Sequence, residues 1–141
     1  SDVYKRQIST VIQEVLHYMS WKLNPDRPVY VQLIERITTD IIAGIYPPGS
    51  KLPSVRDLAQ TAGVNPNTMQ KALSEMERTN LVYSQRTSGR FITEDLSMID
   101  DLKTELASEQ IKEFLEKMEK IGLSKEDIIG LINKVSEEEK K

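Results

Sequence analysis

The thirteen residues Ser54-Val-Arg-Asp-Leu-Ala-Gln-Thr-Ala-Gly-Val-Asn-Pro66 hold two helix starts and one helix stop, and this spacing restricts the fold more than any other feature of the chain. Ser54, with Asp57 three positions on, reads as a capping box: hydroxyl and carboxylate satisfy end groups that have no intrahelical partner. Gly63 follows Ala62 where a left-handed residue closes a helix. Asn65 is a second N-cap, and Pro66 takes the first helical position, where its missing N–H costs nothing. The first helix turns Val55, Leu58 and Ala59 inward, and the second turns Met69, Ala72, Leu73 and Met76 inward. Asn67, Thr68, Gln70, Lys71 and Ser74 are left on the outer face of the second. Small Ala59 and Gly63 sit where the two helices must approach closely. The pattern is that of a helix-turn-helix.

A helix is predicted upstream from about Pro28, with Tyr30, Leu33, Ile34, Ile37, Ile41 and Ile45 as its apolar stripe, stopped by Gly44 and Pro47-Pro48-Gly49. Residues 19–28 are expected to be irregular, because Pro25 and Pro28 block regular ladders. Residues 81–86 and 90–93 read as two short strands joined by a turn at 87–89, with Gly89 supplying positive φ. Tyr83 and Phe91 read as hairpin and core aromatics rather than as platforms for bases. The expected fold class is mainly α (α+β): a winged helix-turn-helix with a two-stranded wing, followed by a two-helix tail.

The tail begins at about Asp95. Ile99, Leu102 and Leu106 run at helical spacing; after a one-residue slip Ala107, Ile111, Phe114, Met118 and Ile121 continue it. Gly122 ends that helix, Ser124 with Asp127 forms another capping box, and Ile128, Leu131, Ile132 and Val135 make the last stripe. Residues 136–141 are charged and expected to fray. Two helices with apolar stripes and no third partner must bury them on the head or on another subunit. The tail is therefore expected to dimerise, through Leu102, Leu106, Ile111, Phe114 and Leu115 on its first helix and Met118, Ile121, Ile128, Leu131 and Ile132 beyond.

Residues 1–18 are a segment of open role ahead of an internal Met19. Ile8, Val11, Ile12, Val15 and Leu16 allow a short amphipathic helix, read either as an upstream extension or as an arm that packs on the core or a second subunit. The expected domains are thus 1–18, 19–94 and 95–141.

The 141 residues contain no cysteine and one histidine, His17. Thiolate metal sites are excluded, no Cys/His cluster exists for zinc, and no Gly-rich phosphate loop follows a strand. Acid pairs such as Glu75/Glu77 and Asp100/Asp101 read as solvated helix-surface charge. No enzyme, cofactor or metal is expected. No apolar run approaches the roughly 18 residues of a membrane span, and residues 1–18 lack a signal-peptide cleavage pattern; the expected home is the cytoplasm. Net charge is −3, but it is unevenly spread. Residues 19–95 hold nine Lys/Arg against eight Asp/Glu, a balance of +1, whereas 96–141 hold eight against twelve, a balance of −4. The acid lies in the tail, so the head remains compatible with a polyanion if its bases cluster on one face.

The outer residues Asn65, Pro66, Asn67, Thr68, Gln70 and Lys71 sit where the side chains of a recognition helix meet bases, at an end whose dipole and free N–H groups suit phosphate. Asn and Gln pair two-pronged with adenine, and Lys donates to guanine. Arg56 on the preceding helix reads as a phosphate contact, as an ion pair with Asp57 or as a solvated surface charge; Lys51 is a further phosphate candidate. Arg86, Thr87, Gly89 and Arg90 surround the wing turn, the arginines reading either as groove or phosphate contacts or as cross-strand surface charge.

These residues closely resemble the GntR family of bacterial transcription regulators. The resemblance is carried by Tyr30-Val-Gln-Leu-Ile, Ile42-Ala-Gly-Ile-Tyr-Pro-Pro-Gly-Ser-Lys-Leu-Pro-Ser-Val-Arg-Asp-Leu-Ala, Gly63-Val-Asn-Pro-Asn-Thr, Ala72-Leu and Gly89-Arg-Phe-Ile. It covers about residues 21–93 and implies a winged-helix dimer whose recognition helix and wing read a palindromic operator in double-stranded DNA. It implies backbone contact by Arg56, contacts from Asn65 to Thr68 and Gln70, and wing contacts near Arg86 to Gly89. Many relatives carry arginine or serine where Pro66 stands and arginine where Gln70 stands, so their operator sequence does not transfer. Thr87 replaces a glycine usual in the wing. About 45 residues follow the wing, too few to enclose a metabolite pocket, and the short tail with Gly122-Leu-Ser-Lys-Glu-Asp looks like the YtrA subfamily, which the resemblance links to transporter operons and to dimerisation through the tail. The expected function is a homodimeric DNA-binding regulator, a repressor in preference to an activator. Two rivals stand beside it: a winged helix that docks a protein partner through its third helix, and a sensor gated by a small molecule at the dimer interface. The effector, the operator and the regulated genes are not encoded in any motif.

Overall fold

The helix starts at Ser54, Asn65 and Ser124 are each built from a few neighbouring residues. A computed structural model describes residues 3, 6, 7 and 21–140. The expected amphipathic stripe of residues 8–16, and His17, lie outside the described residues. The elements, in order, are α1 (Val29–Ile42), α2 (Val55–Ala62), α3 (Pro66–Arg78), β1 (Val82–Gln85), β2 (Gly89–Ile92), α4 (Leu96–Lys120) and α5 (Lys125–Glu139). They fall into two compact units, Ser1–Ile99 and Asp100–Lys141. The division falls a few residues into α4 rather than at its start.

In the first unit α3 packs against both α1 and α2. Leu33, Ile37 and Ile41 from α1, Leu58 and Ala59 from α2, and Met69, Ala72, Leu73 and Met76 from α3 form the core, closed below by Leu52, Leu81, Val82 and Ile92. The stripe predicted for α1 holds at Leu33, Ile37 and Ile41. It fails at Ile45, which lies beyond the helix end and is exposed, because Gly44 at φ 81° has already turned the chain.

Two buried polar residues of α1 were not foreseen. Gln32 donates through Nε2 to the carbonyls of Asn24 (2.7 Å) and Arg27 (3.0 Å) and accepts from the Asn24 N–H, so one amide holds the irregular segment before α1. Asp40 accepts from Arg36 Nε at 3.1 Å, and the Arg36 guanidinium lies 4.7 Å from the Trp21 ring. No buried side-chain polar atom among the described residues lacks a partner, as expected of a native core.

The three predicted N-caps are present. Ser54 Oγ accepts from Asp57 N–H at 3.1 Å, Asn65 Oδ1 from Asn67 N–H at 2.7 Å, and Ser124 Oγ from Asp127 N–H at 3.2 Å. Only the Ser124 box is reciprocal, with Asp127 Oδ2 accepting from Ser124 N–H; at Ser54 the structure makes one half of the predicted box. Accepting those bonds holds the Asp127 carboxyl below its ordinary range. Gly63 closes α2 at φ 73°.

The first strand is shorter than expected and the second begins one residue earlier: Val82 pairs with Ile92, Tyr83 with Phe91, Ser84 with Arg90 and Gln85 with Gly89. Gly89 is thus the first residue of β2 rather than the last of the turn. Tyr83 and Phe91, expected as hairpin and core aromatics, are half-buried and stack across the pair at 5.8 Å. The segment before α2 also joins the sheet edge. Gly49 N–H donates to Ile92 O, Ile92 N–H to Ser50 O and Leu52 N–H to Arg90 O, with Lys51 bridged to Phe91. Sequence reading missed this third strip because Pro47, Pro48 and Pro53 flank it.

In the second unit the tail helices form as predicted, but α5 runs through Glu139, further than the expected fraying allowed. Ile128 is buried, whereas Ile111, Phe114, Ile121, Leu131, Ile132 and Val135 are exposed. Leu102, Leu106, Leu115 and Met118 are half-buried. No helix among the described residues is long and apolar enough to cross a membrane.

Candidate nucleic-acid interface

The predicted site residues occupy three places on the first unit: the start of α2, the start of α3 and the wing. Lys51, Arg56, Thr87, Gly89 and Arg90 line one concave cleft of about 790 Å³ between the N-terminus of α2 and the wing. Asn65, Pro66, Asn67, Thr68, Gln70 and Lys71 lie on α3, outside that cleft; all are exposed except Thr68, which is half-buried.

The two helix starts differ chemically. At α3 the first-turn donors are spent. Pro66 has no N–H, Asn67 N–H goes to the Asn65 side chain, and the N–H groups of Thr68 and Met69 go to Asn65 O at 3.0 and 3.2 Å. The free backbone donors expected here are therefore absent, because proline and the Asn cap consume that turn; α3 offers its side chains instead. The Asn65 side-chain oxygen accepts from Asn67 N–H, while its amide N–H groups form no hydrogen bond among the described residues. At α2, by contrast, no hydrogen bond among the described residues engages the N–H of Val55 or Arg56. That end opens into the cleft, the geometry in which a helix start receives an anion.

Arg56 is exposed and forms no ion pair with Asp57 or any other acid among the described residues. Of its three sequence readings the ion pair is not formed; phosphate contact and solvated surface charge are both compatible with its exposure. Lys51 runs its stem over Gly89, where a Cβ would come within 3.1 Å of Lys51 Cε; with φ at 102°, this position suits glycine alone. Lys71 places its ammonium 3.9 Å from the centre of the Tyr30 ring, a cation–π contact that orients it from α1. Gln70 Nε2 donates to Ser74 Oγ at 3.3 Å, a weak bond on an exposed face that leaves the amide available.

The wing arginines separate. Arg86 is exposed at the tip. Arg90 is half-buried, and its Nε donates to Glu77 Oε1 on α3, which also accepts from Ser84 Oγ on β1. The Ser84 hydrogen bond, and then the Arg90 pairing, hold the Glu77 carboxyl below the usual glutamate range against the opposing effect of burial. Its contribution to stability is complete above the unfolded glutamate value and is lost as pH falls through the depressed folded one. Glu77 was read from sequence as half of a solvated acid pair; only its partners across the hairpin reveal otherwise.

A three-helix head, a hairpin wing and an exposed polar face at the start of the third helix define a winged-helix protein. The family model of gntR, bacterial regulatory proteins, matches residues 29–92. The uncharacterized HTH-type transcriptional regulator YhcF of Bacillus subtilis is 37% identical over 119 residues, covering 84% of this chain and 98% of that protein. The HTH-type transcriptional repressor YtrA of Bacillus subtilis is 34% identical over 110 residues, 77% of this chain and 85% of that one. Among solved structures, a GntR family transcriptional regulator from Listeria monocytogenes superposes with a TM-score of 0.71 at 38% identity, covering 79% of this chain and 98% of its own. The chain belongs to the gntR family of bacterial regulatory proteins. It is a DNA-binding transcriptional regulator and not an enzyme.

Proposed function

We propose that the protein is a YtrA-like repressor that binds a palindromic operator as a homodimer, reading bases with α3 and holding phosphates with the start of α2 and the wing. The observation that carries the reading is the exposed polar row Asn67, Gln70 and Lys71 on α3, beside a cleft that gathers Lys51 and Arg56 at an open helix start. Asn67, Thr68 and Gln70 face bases. Lys51, Arg56, Asn65, Lys71, Arg86, Thr87 and Gly89 meet the backbone or the adjacent groove, and Pro66 shapes the approach. The outer face of α3 is polar, which disfavours a protein-docking role.

The tail supplies the second copy. Its Ile111, Phe114, Ile121, Leu131 and Ile132 are large apolar side chains left exposed in the single chain, and self-association would cover them symmetrically. Leu102, Leu106, Leu115 and Met118 border that face, while Ile128 is already closed off. The near-complete span of YhcF supports a tail that belongs to the regulator itself. Two heads so joined address half-sites about one helical turn, roughly 34 Å, or a multiple of it apart. A dimer seated on a promoter blocks polymerase with no further machinery, which favours repression.

Selection of bound duplexes from random DNA tests this reading and yields the operator and its half-site spacing. Failure to retain any duplex at low salt overturns it. On the selected operator, Gln70→Ala is expected to relax preference at one base position, losing about 1–3 kcal/mol of discrimination there; an unchanged selected motif would remove Gln70 from the base-reading set. Arg56→Ala is expected to weaken binding evenly across sequences and to lower the slope of log K against log salt by about 1, measured by fluorescence anisotropy.

A further inference from the structure

One oxygen of α3 ties down both strands of the wing. Ser84 and Arg90 are directly paired across β1 and β2, and both donate to Glu77 Oε1. The side chains of Arg90 and Glu77 are 18% and 30% exposed, whereas the neighbouring α3 pair Arg78–Glu75 stands at 71% and 41% and is ordinary surface charge. Beyond the Ser84–Arg90 rung, residues 85–89 are all exposed, and among the described residues no hydrogen bond returns from them to α3. A hairpin of two four-residue strands does not hold its own orientation in water. Its base is fixed by Val82, Ile92 and the strip at Gly49 to Leu52; among the described residues its outer half meets the Lys51 stem over Gly89 and, as its side-chain hydrogen-bond acceptor, Glu77.

We propose that Glu77 is the positioning residue of the wing, setting Arg86 and the turn at a fixed distance from the base-reading face of α3, and that Arg90 is its counterpart in this clasp rather than a DNA ligand. The proposal rests on the DNA-binding reading above. Preorganising the tip removes an ordering cost from binding, so loss of the clasp weakens the complex although Glu77 touches no DNA.

This assigns Glu77 a sign opposite to simple electrostatics. Removing a negative charge near a DNA-binding face strengthens binding if charge alone matters; opening the clasp weakens it. In the full-length protein on its selected operator, Glu77→Ala is expected to raise Kd about tenfold with an unchanged salt slope. Glu77→Gln keeps an acceptor oxygen for both donors and is expected within about threefold of wild type. Arg90→Ala should match Glu77→Ala, and the double variant should be no worse than either single one, since both open one contact. Binding by Glu77→Ala equal to or tighter than wild type overturns the proposal. So does a slope lowered by about 1 in Arg90→Ala, the signature of a lost phosphate contact.

If Glu77→Ala does not melt cooperatively, Ser84→Ala removes one of the two donors and is expected to weaken binding in the same direction; no weakening overturns the clasp. Amide exchange separates the clasp from the DNA reading. Residues 85–89 should exchange faster in free Glu77→Ala than in wild type, and unchanged exchange also overturns it. Wild-type protein that ignores duplexes refutes the DNA reading, while the exchange result still decides the clasp.

Discussion

Replacing Phe114 and Leu131 together by glutamate is expected to leave the chain monomeric and to weaken operator binding by about a hundredfold or more. Both side chains are already in water in the single chain, 40% and 45% exposed, so the change costs little core packing. In a dimer they would enter a desolvated seam, where two like charges per copy cannot be paired. The loss on DNA then follows from linkage: once one head is seated, the tail presents the second at a high effective concentration, and a monomer forfeits that factor of roughly 10²–10⁴. Sedimentation velocity reads the assembly state and anisotropy the operator affinity. A double variant that remains dimeric at micromolar concentration would place the subunit interface elsewhere. A monomer that keeps full affinity would mean that each head binds independently.

Leu73→Ala is expected to lower the unfolding free energy by about 3–4 kcal/mol, read from urea denaturation. Leu73 has no exposed surface and lies on α3, which packs against both other helices of the head. Removing a buried isobutyl group loses its transfer free energy and leaves a cavity that rigid neighbours close only in part. Against a total of roughly 5–15 kcal/mol, that loss is a large share of the stability. Because Leu73 shares its helix with Gln70 and Asn67, operator binding should fall as the folded fraction falls and recover on cooling toward the temperature of greatest stability. A change below about 1 kcal/mol would mean that α3 does not carry the core contacts assigned to it.

The helix starts of head and tail were legible because their determinants are local. A cap is one side chain and the N–H two or three residues on, so Ser54, Asn65 and Ser124 announce helix starts without knowledge of the fold. Met69, Ala72, Leu73 and Met76 lie on one face whatever else the chain does, since helical period alone places them. The same reasoning overreached where local rules meet. Asn65 and Pro66 both favour a helix start, but together they exhaust the donors of that turn, so the expected backbone anion site is absent from α3 and open at α2. Ile45 fits the α1 stripe by spacing and lies outside the helix, because Gly44 had already ended it.

The roles of the charged residues were not legible. Arg86 and Arg90 look alike in the sequence, four positions apart on either side of a turn, yet one is exposed at the tip and the other is held on α3. Glu75 and Glu77 look alike as an acidic pair, yet Glu75 meets Arg78 on an exposed helix face while Glu77 joins the hairpin. The amino-acid sequence by itself determined the helix starts, most of the apolar faces and the family, since caps, glycines and periodicity act over a few neighbouring residues. Only the tertiary structure decided which charges remain available to a polyanion. Arg90 finds Glu77 thirteen residues back and Lys71 finds the Tyr30 ring on another helix, and long side chains choose partners by proximity in space, which packing alone creates.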